Sequence, residues 1–347
     1  MAGSRFASKV LMKEIILNKV KNKTRVLVAG LGSIGQRHAR LLSERMDVEL
    51  HICDTIEKHR MDTVSAIVNS DVSGYSHFSN ALLAKPDIVF ICLPNQWHVP
   101  IGLQAIESGA DVFVEKPISD SIEEAQKLVA AAESNGRFLQ VGYMLRLDEG
   151  LCKMKNIVDT DGIGNLVGGR AMIGTYVTLL NAKSPDREKN PNSLIVDYTH
   201  ELDFIRWFFG EVDEIKAMGT CIGDLKLKAV PNIFQMILKM KSSALVQVHM
   251  DYIQFPQRRI FEIYGDRGTL SYDFMTGEIR YFKFQKEHQW EDISVTPIMN
   301  RWDNLFRAEH ELIFTRRSAG LSPLVSGYDG LQALLLAQRA ISDLNEN

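Results

Sequence analysis

From residue 25 to residue 114, short apolar runs alternate with stretches whose apolar positions recur at helical spacing. Arg25–Ala29, Val48–Cys53, Ser73–His77, Asp87–Leu93 and Asp111–Val114 predict strands, and Gln36–Met46, Thr55–Asn69, Ser79–Ala84 and Val99–Ser108 predict helices. Strictly alternating strands and helices, with strands apolar on both faces, predict a doubly wound parallel sheet. Beyond residue 165 the pattern changes. Leu166–Tyr176, Glu214–Cys221, Asn232–Met240, Ala244–Tyr252, Arg259–Tyr264, Thr269–Asp273, Glu278–Phe284 and Trp290–Val295 read as closely spaced strands separated by Gly, Asp and Ser turns. That spacing predicts a large, mostly antiparallel open sheet, with His200–Phe209 as a helix on one face. A broad sheet with an uncovered apolar face is expected to bury it against a second copy, giving a homodimer or homotetramer. Trp302–Arg316 and Ser326–Asn345 read as amphipathic closing helices.

Composition narrows the class without naming it. The 347 residues are 45% hydrophobic and 24% charged with a net charge of −3. These are ordinary globular values that exclude disordered, collagenous and coiled-coil readings. No run approaches the roughly 18 apolar residues of a membrane span, and no signal-peptide pattern opens the chain, so a cytoplasmic protein without a membrane partner is expected. Cys53, Cys92, Cys152 and Cys221 are far apart in sequence, with no paired or zinc-type spacing, so neither disulfides nor a metal site is expected. The first 25 residues carry a charge of +6 and the remainder −9. An acidic body argues against a nucleic-acid partner, since phosphate neutralisation needs a basic face. The basic arm, 1–22, reads as a solvated extension or an oligomer contact.

Candidate chemistry begins where the first predicted strand ends. Gly30-Leu31-Gly32-Ser33-Ile34-Gly35 lies between that strand and the next helix. In that position Gly30 permits the tight turn, Gly32 lets the backbone approach a pyrophosphate, and Gly35 lets the helix pack closely on the strand. Ser33 and Ile34 begin the helix, whose unpaired N–H groups suit phosphate. The second strand ends at Asp54, nineteen residues after Gly35, where a carboxylate can accept from both ribose hydroxyls and repel a 2′-phosphate. NAD is favoured, while Lys58, His59 and Arg60 close by keep NADP open. The alternative for Asp54 is a plain helix cap. Two further turns follow predicted strands: Leu93-Pro94-Asn95-Gln96-Trp97-His98 and Glu115-Lys116-Pro117. Ligands of such folds bind at the carboxyl edge of the sheet. A lysine fixed there between a buried strand and a proline suits proton exchange with a substrate hydroxyl.

Taken in order, Gly30–Gly35, Pro94-Asn95-x-x-His98, Glu115-Lys116-Pro117, Gly142–Arg146 and the stretch from His200 to Gly210 resemble the glucose-fructose oxidoreductase, inositol dehydrogenase and MocA family. Phe261–Leu270 and the helix after Asp329 are also similar, so the resemblance spans about 23–344. It implies a Rossmann domain followed by an α+β domain: a basic extension at 1–22, a nucleotide-binding domain at 23–145, a substrate and oligomerisation domain at 146–325, and a C-terminal helix, 326–347, returning to the first domain. It also implies hydride transfer between NAD(P) and a hydroxyl-bearing carbon of a sugar, cyclitol or nucleotide sugar. Lys116 and His200 would handle the proton, and Asp197 would share a helix face with His200 at i, i+3. The turn of Leu93, Pro94, Asn95 and His98, together with Glu115, would wall the cofactor, His98 by position rather than chemistry. Arg146 and Arg187 are candidates for substrate contact, with fixing of the interdomain hinge the alternative for Arg146. This sequence departs from the family in its aspartate–histidine interval, three residues instead of four, and in carrying Asn192-Ser193-Leu194-Ile195 where the family has a glycine run. Two other readings stay open: a cofactor-retaining member doing net non-redox sugar chemistry through a transient ketone, and a non-catalytic nucleotide-binding regulator.

Overall fold

The computed structural model describes residues 23–67, 72–176, 192–223, 230–284, 290–292 and 301–346. The basic arm, and the loop carrying Arg187, lie outside the described residues. The chain divides into two compact units: residues 1–142 with 302–328, and residues 143–301 with 329–347.

In the first unit a six-stranded sheet is built from β1 (Thr24–Ala29), β2 (Val48–Cys53), β3 (Ser73–Tyr75), β4 (Ile88–Ile91), β5 (Asp111–Val114) and β6 (Leu139–Val141), in the order β3-β2-β1-β4-β5-β6. Every pairing is parallel. The order reverses between β1 and β4, which opens a crevice at their carboxyl ends. The connecting helices are α1 (Ser33–Ser43), α2 (Glu57–Ala66), α3 (Phe78–Leu82), α4 (His98–Glu107) and α5 (Ile122–Ser134). Val26, Val28, Leu50, Ile52, Ile88 and Phe90 of the sheet form one core with Ala39 and Leu42 of α1. Ile313 and Phe314 join that core from a helix that begins more than two hundred residues after Phe90 and whose span 302–318 belongs to this unit. Arg40 meets Asp303 at 2.6 Å and Arg317 meets Asp111 at 2.5 Å, which pins both ends of that span to the sheet and α1.

The second unit holds α6 (Glu149–Asp159), β7 (Leu166–Gly174), α7 (Ser193–Asp197), α8 (Thr199–Phe209), β8 (Val212–Thr220), β9 (Ile233–Met240), β10 (Leu245–Asp251), β11 (Arg258–Gly265), β12 (Gly268–Asp273), β13 (Glu278–Lys283) and β14 (Trp290–Asp292). The eight strands run in the order β14-β13-β12-β11-β7-β10-β9-β8. All neighbours are antiparallel except β7 and β10. Alternation sorts the faces: Phe234, Met236 and Leu238 are buried on β9, as are Val246, Val248 and Met250 on β10. Phe204 and Phe208 of α8 stack on Phe261 of β11, with ring centroids 4.8 and 5.2 Å apart. The other face shows Met218, Ile237, Leu245 and Val167 to solvent.

The closing helices are α9 (Arg301–Ser318) and α10 (Gly327–Glu346). The expectation that the terminal helix returns to the nucleotide-binding unit is corrected. Residues 302–328 make that return, while α10 from Asp329 onward belongs to the second unit. Asp343 accepts from the Ala217 N–H at 2.7 Å, and Arg339 donates to the Asp213 carbonyl at 2.7 Å, so α10 satisfies backbone groups along β8.

Candidate functional site

The first unit gathers most of the predicted residues at one sheet edge. Gly30 has φ +89°, and a Cβ there would sit 2.6 Å from the Cys92 carbonyl oxygen, so only glycine fits. A Cβ on Gly35 would lie 1.8 Å from the Gly30 oxygen, which is why α1 can start directly against the turn. Gly32 differs: nothing lies within 4 Å of where its Cβ would be. The turn is therefore packed on both sides of Gly32 and open at Gly32 itself. Gly32 is also the cap residue of α1, without a side-chain cap and with no acidic residue in the first turn. The N–H groups opening a helix have no intrahelical acceptor and carry its positive dipole end, so Ser33 and Ile34 begin a ready anion cradle. A dinucleotide pyrophosphate fits that arrangement.

Asp54 stands beside the cradle. One of its oxygens accepts from the Leu31 N–H at 2.7 Å and the other from the Ile56 N–H at 2.8 Å. His59 Nδ1 lies 3.2 Å from the first. Asp54 thus ties the glycine turn to the start of α2. The cap residue of that helix is Ile56, without a side-chain cap, so Asp54 closes the turn before the helix rather than capping it, and acceptor capacity remains for hydroxyls, since a carboxylate offers about four lone-pair positions. Arg60 donates to the Asp54 backbone oxygen rather than its carboxylate, at 2.6 Å. A cavity of about 670 Å³ joins Gly30, Gly32, Ser33 and Ile34 to Asp54, Leu93 and Pro94, with Ile56, Phe78 and Trp97 adding apolar wall. Its size and mixed lining are those of a small-molecule cleft. Burial, reinforced by the Asp54 charge, pushes the Cys53 thiol up to about 11, and burial pushes the Cys92 thiol well above the ordinary thiol range. Neither wall cysteine is a nucleophile at neutral pH.

Asn95 opens a 3-10 turn, Asn95–Trp97, that leads into α4. His98 is 1% exposed, with Nδ1 2.9 Å from the Pro117 carbonyl and Nε2 2.7 Å from the Leu93 carbonyl. It stands between the two sheet-edge turns, within hydrogen-bonding distance of a carbonyl of each. Burial lowers its pKa against the pull of those carbonyls, and since a neutral imidazole carries a single N–H, the neutral ring donates to only one of the two at a time. Glu115 accepts the Lys116 backbone N–H at 3.1 Å, folding the carboxylate back under the lysine.

In the second unit the expected shared helix face is corrected. Asp197 ends α7, and Tyr198, with φ −106° and ψ 32°, breaks the path before α8 begins at Thr199. Asp197 and His200 are therefore on two helices. The Asp197 carboxylate accepts from Tyr252 Oη, at the end of β10, at 2.7 Å. The His200 ring stands edge-on to Tyr143 at 5.4 Å. Tyr252 is a residue the sequence reading passed over. Arg146 is 6% exposed and donates to both oxygens of Asp203, at 3.0 and 2.7 Å, and to Asp329 at 3.2 Å. A guanidinium so enclosed ties the turn after β6 to α8 and to the start of α10. Burial lifts Asp203 to about 6 even with Arg146 opposing it. Among the described residues no group of three His, Cys, Asp or Glu side chains could hold a metal ion, and no helix is long and apolar enough to cross a membrane.

A parallel sheet with a glycine turn at its switch point, an open anion cradle and a strand-end carboxylate defines a dinucleotide-binding protein of the Rossmann class. Comparison with known proteins gives the family. Residues 24–143 match the model of the oxidoreductase family with an NAD-binding Rossmann fold, and 151–271 match the GFO/IDH/MocA C-terminal domain. These two models cover most of the chain, and the protein belongs to the GFO/IDH/MocA family of NAD-binding oxidoreductases. The inositol 2-dehydrogenase of Salmonella typhimurium is 29% identical over 191 residues, 53% of this chain and 54% of that protein, so the match spans about half the length of that relative. The inositol 2-dehydrogenase of Acidothermus cellulolyticus is 23% identical over 93% of both chains. The scyllo-inositol dehydrogenase of Lactobacillus casei, solved with NAD(H) and scyllo-inositol, superposes with a TM-score of 0.80 at 19% identity, covering 94% of this chain and 98% of that one.

Proposed function

We propose that the protein is an NAD-dependent dehydrogenase that moves hydride between nicotinamide and a hydroxyl-bearing carbon of a sugar, cyclitol or nucleotide sugar. The observation that carries this reading is the open side of Gly32, facing the uncapped start of α1 on the edge that also bears Asp54 and the Glu115–Pro117 turn. The named activities of the relatives support the substrate class.

In this reading the backbone from Gly30 to Gly35 binds the pyrophosphate, and Asp54 accepts from the adenosine ribose while disfavouring a 2′-phosphate. Leu93, Pro94, Asn95 and His98, with Glu115, wall the remainder. The nicotinamide, when bound, supplies the hydride acceptor or donor. Lys116 takes the proton from the substrate hydroxyl as its carbon is oxidised, or returns it in the reverse direction. On the second unit His200 is assigned to orienting and sharing that proton, and Asp197, fixed by Tyr252, to supporting it. A neutral imidazole suits the task because it can donate or accept near neutral pH. A second copy on the exposed sheet face and a cytoplasmic location belong to the same reading. The face displaying Met218, Ile237 and Leu245 supports the first, and light scattering behind a sizing column tests it.

A panel of cyclitols, sugars and nucleotide sugars, mixed with NAD and then NADP, tests the function by absorbance of the reduced nicotinamide. Reduction with one class of polyol and NAD is the expected result. No reduction with any of them, and no oxidation of NADH by the matching ketones, would refute it.

A further inference from the structure

Behind the turn that carries Lys116 runs a buried chain of polar groups of which the mechanism above uses only Glu115. His38, on the third residue after Gly35, is 0% exposed. Its Nε2 lies 2.9 Å from Glu115 Oε1, and its Nδ1 lies 2.8 Å from Nε2 of His310 on α9. The second Glu115 oxygen accepts the Lys116 N–H. Phe90, Phe113 and Phe306 box the His38 ring, with centroids 5.5, 5.1 and 4.8 Å away. For an ionised Glu115 and a neutral His38 the direction of the chain follows from hydrogen-bonding capacity. The carboxylate only accepts, so His38 Nε2 carries the hydrogen. A neutral imidazole then offers only a lone pair at Nδ1, and His310 must donate to it through Nε2.

The surroundings agree with this geometry. Burial first, then His38, Arg45 and Arg307, hold His310 well below the ordinary histidine range, so it stays neutral. Neighbouring Glu309 is 1% exposed and is pushed well above the carboxylate range by burial and by the Glu115 charge. Cys92, the other titratable neighbour, is raised by burial and then by both glutamates. An apolar residue would fill position 310 without a buried polar group to satisfy, yet two imidazoles stand in line with the carboxylate.

We propose that His310, acting through His38 and Glu115, is a positioning residue for Lys116: the relay fixes the Glu115 carboxylate, and with it the turn from which the lysine projects. Only the consequence for turnover rests on the role given to Lys116 above.

The test uses the full chain. In the wild type, histidine-selective nitrogen NMR at pH 7 should find His38 and His310 neutral with the hydrogen on Nε2. A doubly protonated His38, or the opposite tautomer, would overturn the relay whatever the variants do. His310→Phe keeps a ring and removes the donor, His310→Gln offers an amide N–H to His38, and Phe306→Leu loosens the same box without touching the relay. The readout is the labelling rate of the Lys116 amine by an acylating reagent, measured by mass spectrometry against half-exposed Lys127 in the same sample. His310→Phe should change that rate by at least about fivefold, the scale of one lost hydrogen bond, with His310→Gln and Phe306→Leu within about twofold of wild type. Unchanged labelling in His310→Phe, or an equal change in Phe306→Leu, would refute the proposal. If labelling responds as expected while turnover does not fall, the relay stands and the catalytic role of Lys116 fails.

Discussion

Gly32→Ala and Gly35→Ala separate cofactor binding from stability within a single turn. The Cβ added at Gly32 meets no protein atom within 4 Å, and the backbone there is extended, with φ −67° and ψ −171°. Its stability cost is a weaker helix cap partly offset by lower unfolded-state entropy, a net within about 1 kcal/mol. The same methyl occupies the side from which a pyrophosphate would approach. Displacing the phosphates from two charge-assisted N–H bonds, at about 1.5–3 kcal/mol each, raises the Kd for NAD by at least about 100-fold. Gly35→Ala is the converse. Its Cβ would overlap the Gly30 oxygen at 1.8 Å and approach the Cys92 Cβ at 3.2 Å, so the turn must move away from β4, at a cost of about 1–3 kcal/mol or more. Calorimetric titration with NAD and urea unfolding read the two effects. The reasoning is refuted if Gly32→Ala binds NAD within about threefold of wild type, a change of under 1 kcal/mol.

Other consequences follow from the same geometry. Asp54→Asn keeps one acceptor for the Leu31 or Ile56 N–H but loses the charge, so the ratio of NAD to NADP affinity should fall by at least about tenfold, one repulsion of roughly 1.4 kcal/mol; an unchanged ratio would remove Asp54 from the ribose site. Arg146→Met leaves Asp203, 2% exposed, without its bidentate partner and should cost about 3–5 kcal/mol in urea unfolding, whereas a substrate-only role would leave stability intact. His98 and His310 have folded pKa values below the unfolded 6.5, so the unfolded chain binds more protons than the native one once the pH drops below that value. Their contribution to stability is complete above pH 6.5 and is lost as pH falls, each by at most about 1.4 kcal/mol per pH unit. The thermal midpoint should decline from pH 6.5 to 5, and less steeply in His310→Gln.

Much of this was legible in the chain because local physics decides it. The parallel sheet follows from apolar runs bounded by helical spacing, and Gly30 to Gly35 announce their backbone demands in their own spacing. The missed elements had weaker signals. The helix Ile122–Ser134 was not read, although Ser121 and Glu124 form an S-x-x-E start and the Ser121 hydroxyl accepts the Glu124 N–H. The break at Tyr198 is a tertiary outcome: the Tyr252 hydroxyl, 55 residues away in sequence, takes the Asp197 carboxylate, and no helical pattern encodes that. The partners of Arg146, Asp203 and Asp329, come from distant segments that no local pattern joins. The same holds for His38 and His310, separated by 272 positions.

The proposed proton transfer depends on the amine of Lys116 acting beside a bound dinucleotide. Lys116→Ala, assayed with NAD and the best substrate from the panel alongside a calorimetric titration of NAD alone, tests it directly. Turnover should fall by at least about 100-fold, the scale of a lost general base, with NAD affinity within about threefold of wild type. Turnover equal to wild type would contradict it.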